Sequence, residues 1–182
     1  MNRKIWACAV AAVVAVPALA EFTQERAGYA PGVTDPVDSV LARRVAMAAA
    51  NRWNDQTHDI LDGAIDLGLD KARQNLDAIS TVLLTLPEMF PEGSYVYSEE
   101  MAESDPAAVT LATTAVWENW DDFYSRALAA ADVAYRAGRA AGHEEVLALT
   151  EELEGMCISC HDAYRRPQVT LDPEMLGLGP TD

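Results

Sequence analysis

The sequence predicts an all-α protein, an antiparallel four-helix bundle. Four stretches are long enough for helices and place apolar residues every three or four positions, and no run of alternating apolar and polar residues indicates a sheet. Of the 182 residues, 50% are hydrophobic and 23% are charged, which is enough for one globular domain with a packed core.

The first helix is predicted from Thr34-Asp35-Pro36 to about Asp62. The Asp35 side chain suits the N-cap and a proline suits the first turn. In this interpretation the apolar stripe of the helix consists of Val37, Leu41, Val45 and Ala48.

The second helix is predicted from about Leu69 to Leu86, after a connection that contains Gly63 and Gly68. Its apolar positions follow one another at gaps of 3, 4, 3, 4 and 3, the pattern of a bundle helix: Leu69, Ala72, Leu76, Ile79, Leu83 and Leu86. Prolines end this helix, and residues 91–105 are predicted to form the longest internal loop.

The third helix is predicted to start at Asp105-Pro106 and to run to about Arg136. The fourth is predicted from about His143 to Arg166, where Pro167 ends it. Trp117, Trp120 and Phe123 form a heavy aromatic cluster on the third helix. Such a stripe is more often core than the wall of a cofactor site, although in a cofactor-binding bundle it can be both.

Residues 1–20 read as an export signal. Arg3 and Lys4 precede a short apolar stretch, and Ala18 and Ala20 form an A-x-A cleavage site. An uncleaved N-terminal anchor is the alternative, but the apolar stretch is short for a membrane span. We therefore expect a periplasmic protein with no membrane span in the mature chain. The predicted order is signal peptide 1–20, lead-in 21–35, bundle domain 36–166 and tail 167–182.

The chain is strongly acidic, with a formal charge of −16. Removal of residues 1–20 changes this to −18, because that segment holds two cations and no anions. A charge of this sign argues against binding to nucleic acids or to anionic membranes.

The two cysteines outside the signal segment lie in Cys157-Ile158-Ser159-Cys160-His161, a C-x-x-C-H motif that is typical of c-type haem attachment. Residues three and four apart share a helix face, so each thiol can form a thioether to a haem vinyl group while His161 ligates the iron. Two other uses of these cysteines fit less well. A redox dithiol normally lies in a βαβ unit, and the sequence shows none. A structural zinc site needs four ligands, and His58 and His143 do not have the spacing to complete one.

This motif, followed by Asp162-Ala163-Tyr164-Arg165-Arg166 at the end of a four-helix chain, resembles the class II c-type cytochromes, the cytochrome c′ proteins and their low-spin relatives. Arg43 with Met47 four positions later, Leu86-Pro87, and Gly155 before the motif also match. The resemblance covers about residues 36–166. It implies one covalently attached haem c near the C-terminal end of helix four.

The resemblance implies two alternative functions, which differ in the sixth ligand of the iron. In low-spin relatives a methionine of helix one ligates the iron, and the matching residue here is Met47. The function we expect from this resemblance is therefore that of an electron carrier with His/Met ligation. In cytochrome c′ proteins an apolar residue leaves the iron five-coordinate and open to gases such as nitric oxide. Met47 as mere core packing corresponds to that alternative.

Arg43 and Arg44 are candidates to pair with the haem propionates, with surface salt bridges to Asp35 or Asp38 as the alternative. The resemblance places Arg165 near the proximal imidazole. We expect no enzyme activity, because no second metal site and no general base are evident. The expected partner is a redox protein with a basic docking surface, and a homodimer is possible because family members often dimerise.

Overall fold

The computed structural model describes residues 35–106 and 108–167. The helices of these residues, in chain order, are α1 (Pro36–Leu61), α2 (Leu69–Thr85), α3 (Glu99–Ser104), α4 (Ala115–Glu118), α5 (Trp120–Ala137) and α6 (His143–Tyr164). The predicted signal peptide, nearly all of the lead-in and most of the tail lie outside the described residues. The all-α prediction is confirmed: in the part of the chain that the structure describes, the four long helices are α1, α2, α5 and α6.

Helix α1 begins as predicted. The Asp35 carboxylate accepts a 2.7 Å hydrogen bond from the backbone N–H of Val37, and Pro36 occupies the first turn. The helix ends at Leu61, and the connection to α2 places Gly63 and Gly68 at φ angles of +73° and +75°. Glycine adopts this left-handed region without steric cost, which allows the reversal into the antiparallel α2.

The predicted inner stripe of α1 is wrong. Val37, Leu41 and Val45 are 41%, 54% and 60% exposed. The inward face instead carries Val40 and Arg43, both buried. The physical reason is that the Arg43 guanidinium finds hydrogen-bond acceptors in the connection between α2 and α5, so a charged residue takes a core position.

The predicted stripe of α2 is confirmed, with Ala72, Leu76, Ile79 and Leu83 all buried. The α-helix ends at Thr85 and continues as one 3₁₀ turn over Leu86–Met89. Pro87 is buried in that turn and has no N–H to donate, which suits the change of helix type.

The predicted start of the third helix is wrong. Asp105-Pro106 caps no helix, and the regular helix α5 begins at Trp120. The preceding residues form non-local bonds instead: Thr110 N–H donates to the Val96 carbonyl, and Thr113 N–H donates to that of Tyr164. The predicted loop 91–105 also contains the short helix α3.

Each long helix packs mainly against the next one along the chain, and α1 also touches α6. The central apolar cluster combines residues from all four: Ile60, Leu76, Ile79, Leu83, Phe123, Ala130, Ala134, Val146 and Leu153. Among the described residues, none of the helices has both the length and the apolar character needed to cross a bilayer.

Candidate functional site

The C-x-x-C-H motif lies in the last two turns of α6. The helix ends because Arg165 adopts an extended conformation, while its backbone N–H still donates to the His161 carbonyl at 2.9 Å. Cys157, Cys160 and His161 are all half-buried, and both thiols are free. The two cysteines pack against the central apolar cluster. The motif is therefore helical, as the spacing predicts, and its cysteines meet the interior of the bundle.

The chemical state of these three side chains suits haem attachment. Burial raises the pKa of the Cys157 thiol to about 11 and also raises that of Cys160. Burial, followed by the charge of Arg165, lowers the pKa of His161, so its imidazole is neutral at neutral pH. No described residue hydrogen-bonds to the His161 ring, which leaves a nitrogen lone pair available for iron. Two unpaired thiols and one neutral imidazole form the donor set that c-type haem requires.

Aromatic rings form a continuous wall within the same cluster. The ring centroids of Phe90 and Phe123 are 4.9 Å apart, and those of Phe123 and Tyr164 are 5.4 Å apart. Trp117 lies 5.8 Å from Phe90, and Trp120 lies 5.7 Å from Phe123. Phe123 is buried, whereas both tryptophans are half-buried, so the predicted cluster serves as core and also offers flat apolar surfaces. Such surfaces suit contact with a porphyrin.

Both half-buried tryptophans line an open cleft of about 410 Å³. Aromatic residues dominate its walls, and two carboxylates lie at its edge: the lining consists of Phe90, Glu92, Gly93, Tyr95, Thr114, Trp117, Glu118 and Trp120. The cleft adjoins the aromatic wall through Phe90, Trp117 and Trp120.

Met47 lies on the inward face of α1. It follows Arg43 by four positions, is half-buried, and packs against the apolar cluster that Cys157 and Cys160 also contact. Met47 is therefore not part of the exposed stripe of α1. Its thioether side chain packs into the same apolar interior that the haem motif borders.

Arg43 is a buried cation that is held by the connection between α2 and α5. Its Nη1 donates to the Met89 carbonyl at 3.1 Å and to Ser94 Oγ at 3.0 Å. Its Nη2 donates to the Ser94 carbonyl at 2.8 Å and to Thr110 Oγ1 at 2.7 Å. The guanidinium also lies 4.7 Å from the Phe90 ring centroid. Burial lowers the pKa of Arg43 to about 10, so the group stays protonated at neutral pH.

The other two predicted cations occupy different places. Arg44 is half-buried and donates to the Pro106 carbonyl at 2.5 Å and to the Val109 carbonyl at 3.2 Å. Arg165 is half-buried directly after α6 and pairs with Ala112 in an isolated antiparallel bridge. Both arginines thus contact the same connection, residues 105–113, that Arg43 reaches through Thr110.

A second group of polar side chains lies beside the motif and was not predicted from the sequence. Asp122 Oδ2 accepts hydrogen bonds from Tyr164 Oη at 2.5 Å and from Arg126 Nε at 2.6 Å. Arg126 Nη1 donates to Ser159 Oγ at 2.9 Å. The bond from Tyr164, followed by that from Arg126, lowers the pKa of Asp122. Only the four-residue spacing of Asp122 and Arg126 was visible in the sequence.

Similarity to known proteins extends over most of the helical bundle. The family model described as Cytochrome C′ matches residues 38–165. A cytochrome c′ of Pararhodospirillum photometricum is 27% identical over 133 residues, which cover 71% of this chain and 98% of that protein. A cytochrome c-554 of Cereibacter sphaeroides is 34% identical over 98 residues, 53% of this chain. The match spans 58% of that relative's length.

Two solved structures share the fold. Cytochrome c prime from Shewanella frigidimarina aligns with a TM-score of 0.62 at 19% identity, covering 74% of this chain and 99% of that one. A cytochrome c′ described as having ligand-controlled dimer dissociation aligns with a TM-score of 0.63 at 14% identity, covering 75% of this chain and 100% of the other. With the C-x-x-C-H motif in α6 and the family match over most of the bundle, this chain belongs to the cytochrome c′ family of class II c-type cytochromes, which carry covalently attached haem c.

Proposed function

We propose that this protein is a periplasmic electron carrier with one haem, which Cys157 and Cys160 would hold through thioethers and whose iron His161 and Met47 would ligate. It performs no catalysis of its own in this proposal. The observation that carries the proposal is the position of Met47. It lies on the inward face of α1, half-buried against the apolar cluster that both cysteines contact.

A haem held by these residues would supply one-electron chemistry between the ferric and ferrous states of its iron. The residues of this chain set the potential of this one-electron exchange and the solvent reorganisation that accompanies it. The neutral imidazole of His161 offers a nitrogen, and the thioether of Met47 favours the ferrous state and so raises the potential. Phe90 and Phe123, whose rings are buried, would exclude water from the part of the haem that they face, which lowers the solvent reorganisation that accompanies electron transfer.

A second candidate function is binding of small gases by a five-coordinate haem, with Met47 acting only as packing. The comparisons support this candidate more than the first, because the family model and the relative that matches over nearly its whole length carry the name cytochrome c′. The side chain at position 47 supports the electron carrier, because a methionine sulfur can ligate iron.

Substitution of Met47 separates the two candidates. In the electron carrier, Met47→Leu opens the sixth position, so the haem becomes high-spin and binds carbon monoxide when reduced. Met101→Leu, a methionine of the short helix α3, serves as the matched control and leaves the spectrum unchanged. If Met47→Leu has the spectrum of the unmodified protein, Met47 is not a ligand, and a high-spin spectrum in both proteins then supports the gas-binding function.

We also propose that Arg43, Arg44 and Arg165 supply positive charge near the haem propionates. The end groups of Arg43 already donate to Met89, Ser94 and Thr110, so its contribution is the field of a buried charge rather than a bidentate pair. This field favours the ferrous state, and Arg43→Gln therefore lowers the reduction potential. An unchanged potential in a folded Arg43→Gln protein contradicts this role.

The proposed redox partner has a basic docking surface that complements the acidic chain. We further propose a homodimer through the outer face of α1, since Val37, Leu41 and Val45 leave an apolar stripe of about two turns exposed there. Sedimentation velocity tests this: Leu41→Glu produces monomers, whereas Leu128→Glu on α5 leaves the dimer intact. A wild-type protein that is monomeric at about 100 μM rules out the dimer.

A further inference from the structure

We propose that Arg126 is a positioning residue of the haem site: together with Asp122 it fixes the rotation of the α6 segment that carries the haem motif. The proposal rests on haem attachment at Cys157 and Cys160 and on His161 as an iron ligand. It does not depend on whether Met47 is the sixth ligand.

The contacts of Arg126 join α5 to the motif itself. Its Nε donates to Asp122 Oδ2 at 2.6 Å, and its Nη1 donates to Ser159 Oγ at 2.9 Å. Ser159 lies between the two cysteines of the motif. The same Asp122 oxygen accepts the hydrogen bond from Tyr164 Oη. One side-chain network from α5 therefore binds α6 on both sides of His161.

Two attachment points constrain the position of α6 more than a single one does. Ser159 and Tyr164 are five residues apart on α6, which corresponds to about 7.5 Å along the helix axis and about 140° around it. A bond at one position leaves α6 able to turn about that contact. Bonds at both positions oppose rotation of α6 about its axis and also oppose its sliding along that axis. The ring of Tyr164 is buried against Phe123, which anchors the second point.

Helix rotation matters because the motif and the haem move as one unit. Both thioethers and His161 come from α6, so a turn of this segment displaces them together relative to α1 and the aromatic wall. An atom about 6 Å from the helix axis moves by about 1 Å for a rotation of about 10°. Displacements of that size disturb a metal site whose other contacts come from different helices.

Arg136 provides a matched comparison within the same pair of helices. It also bonds to an aspartate four residues earlier, Asp132, at 2.9 Å, and it also reaches across to α6, to Glu152 at 3.7 Å. Glu152 lies five residues before Cys157, outside the motif. Both arginines thus connect α5 to α6 at the surface, but only Arg126 bonds to a residue of the motif.

The test compares Arg126→Gln, Ser159→Ala and Arg136→Gln in the haem-loaded protein. The first readout is the electron paramagnetic resonance spectrum of the ferric haem, whose g values depend on the axial ligands and their orientation in either coordination state. The second readout is amide hydrogen exchange in α6. We expect shifted g values in Arg126→Gln, a smaller shift in Ser159→Ala, and roughly five- to tenfold faster exchange from Cys157 to Tyr164 in Arg126→Gln. Arg136→Gln changes neither readout at the motif.

The outcomes separate this proposal from the proposed function. Unchanged g values in both Arg126→Gln and Ser159→Ala overturn the positioning role while haem binding stands. Equal shifts in Arg126→Gln and Arg136→Gln also overturn it, because then any connection between α5 and α6 has the same effect. If Arg126→Gln fails to mature, the mild exposed variant Ser159→Ala decides the question alone. Wild-type protein without covalent haem contradicts the proposed function instead.

Discussion

Arg43 of α1 donates a 2.7 Å hydrogen bond to the hydroxyl of Thr110, a residue 67 positions later in the chain. Three residues beyond Thr110, the N–H of Thr113 donates to the carbonyl of Tyr164 at the end of α6. One connection thus joins the helix that carries Met47 to the helix end that carries the haem motif. The position of Met47 relative to His161 therefore depends on contacts far apart in sequence.

The Arg43 contacts predict a large loss of stability on substitution. Arg43→Met leaves four acceptors without their donor in a buried region, and we expect it to lower the free energy of unfolding by about 3 kcal/mol. Arg52→Met, an exposed arginine of the same helix, changes it by less than about 0.5 kcal/mol. Urea denaturation of both variants measures the difference, and equal midpoints contradict the role of Arg43.

The cysteine pattern predicts which thiols hold the haem. Cys157→Ser together with Cys160→Ser yields protein whose haem, if any is bound, is removed by acid acetone, because no thioether retains it. Cys8→Ser removes the third cysteine, in the predicted signal segment, and retains covalent haem. Extractable haem in the properly matured wild type contradicts attachment at the motif.

The packing around Gly138 predicts a specific steric conflict. A Cβ atom at this position lies 2.6 Å from Asp77 Oδ1 and 3.2 Å from the Arg73 carbonyl oxygen. Gly138→Ala therefore displaces the Asp77 side chain and lowers stability by about 1 kcal/mol. Gly142→Ala meets no atom within 4 Å, so it lowers stability only by about 0.5 kcal/mol, because alanine is a weaker N-cap than glycine. Thermal unfolding of the two variants compares them, and a neutral Gly138→Ala shows that Asp77 moves at no cost.

The acidic charge predicts salt-dependent electron transfer. The bimolecular rate constant with a basic protein oxidant is expected to fall by about tenfold or more as ionic strength rises from about 10 to 300 mM, because salt screens the attraction. A neutral small-molecule oxidant serves as the control, with a flat response. Equal salt dependence for both oxidants shows that electrostatic steering does not contribute to association with the basic partner.

The sequence allowed the architecture and the motif to be predicted, because their signals are local. The regular spacing of Leu76, Ile79 and Leu83 indicates the buried face of α2, and the C-x-x-C-H pattern needs only five consecutive residues. The confirmed fold class rests on such periodicities.

The errors arose where distant contacts determine the structure. Periodicity favoured Leu41 and Val45 as the inner face of α1, but the acceptors that allow Arg43 to be buried come from Ser94 and Thr110. Asp105-Pro106 has the composition of a helix start, yet the following residues pair with Val96 and Tyr164. The contact of Arg126 with the haem motif was not predicted for the same reason, since its bond to Ser159 joins residues 33 positions apart.

The absorption spectrum of the purified ferrous protein, recorded before and after addition of carbon monoxide, distinguishes ligation by Met47 from an open haem site. With Met47 and His161 both bound to iron, the spectrum is low-spin and carbon monoxide leaves it unchanged, because the sixth position is filled. A high-spin ferrous spectrum that converts rapidly to a carbon monoxide complex contradicts ligation by Met47 and establishes the site as an open one.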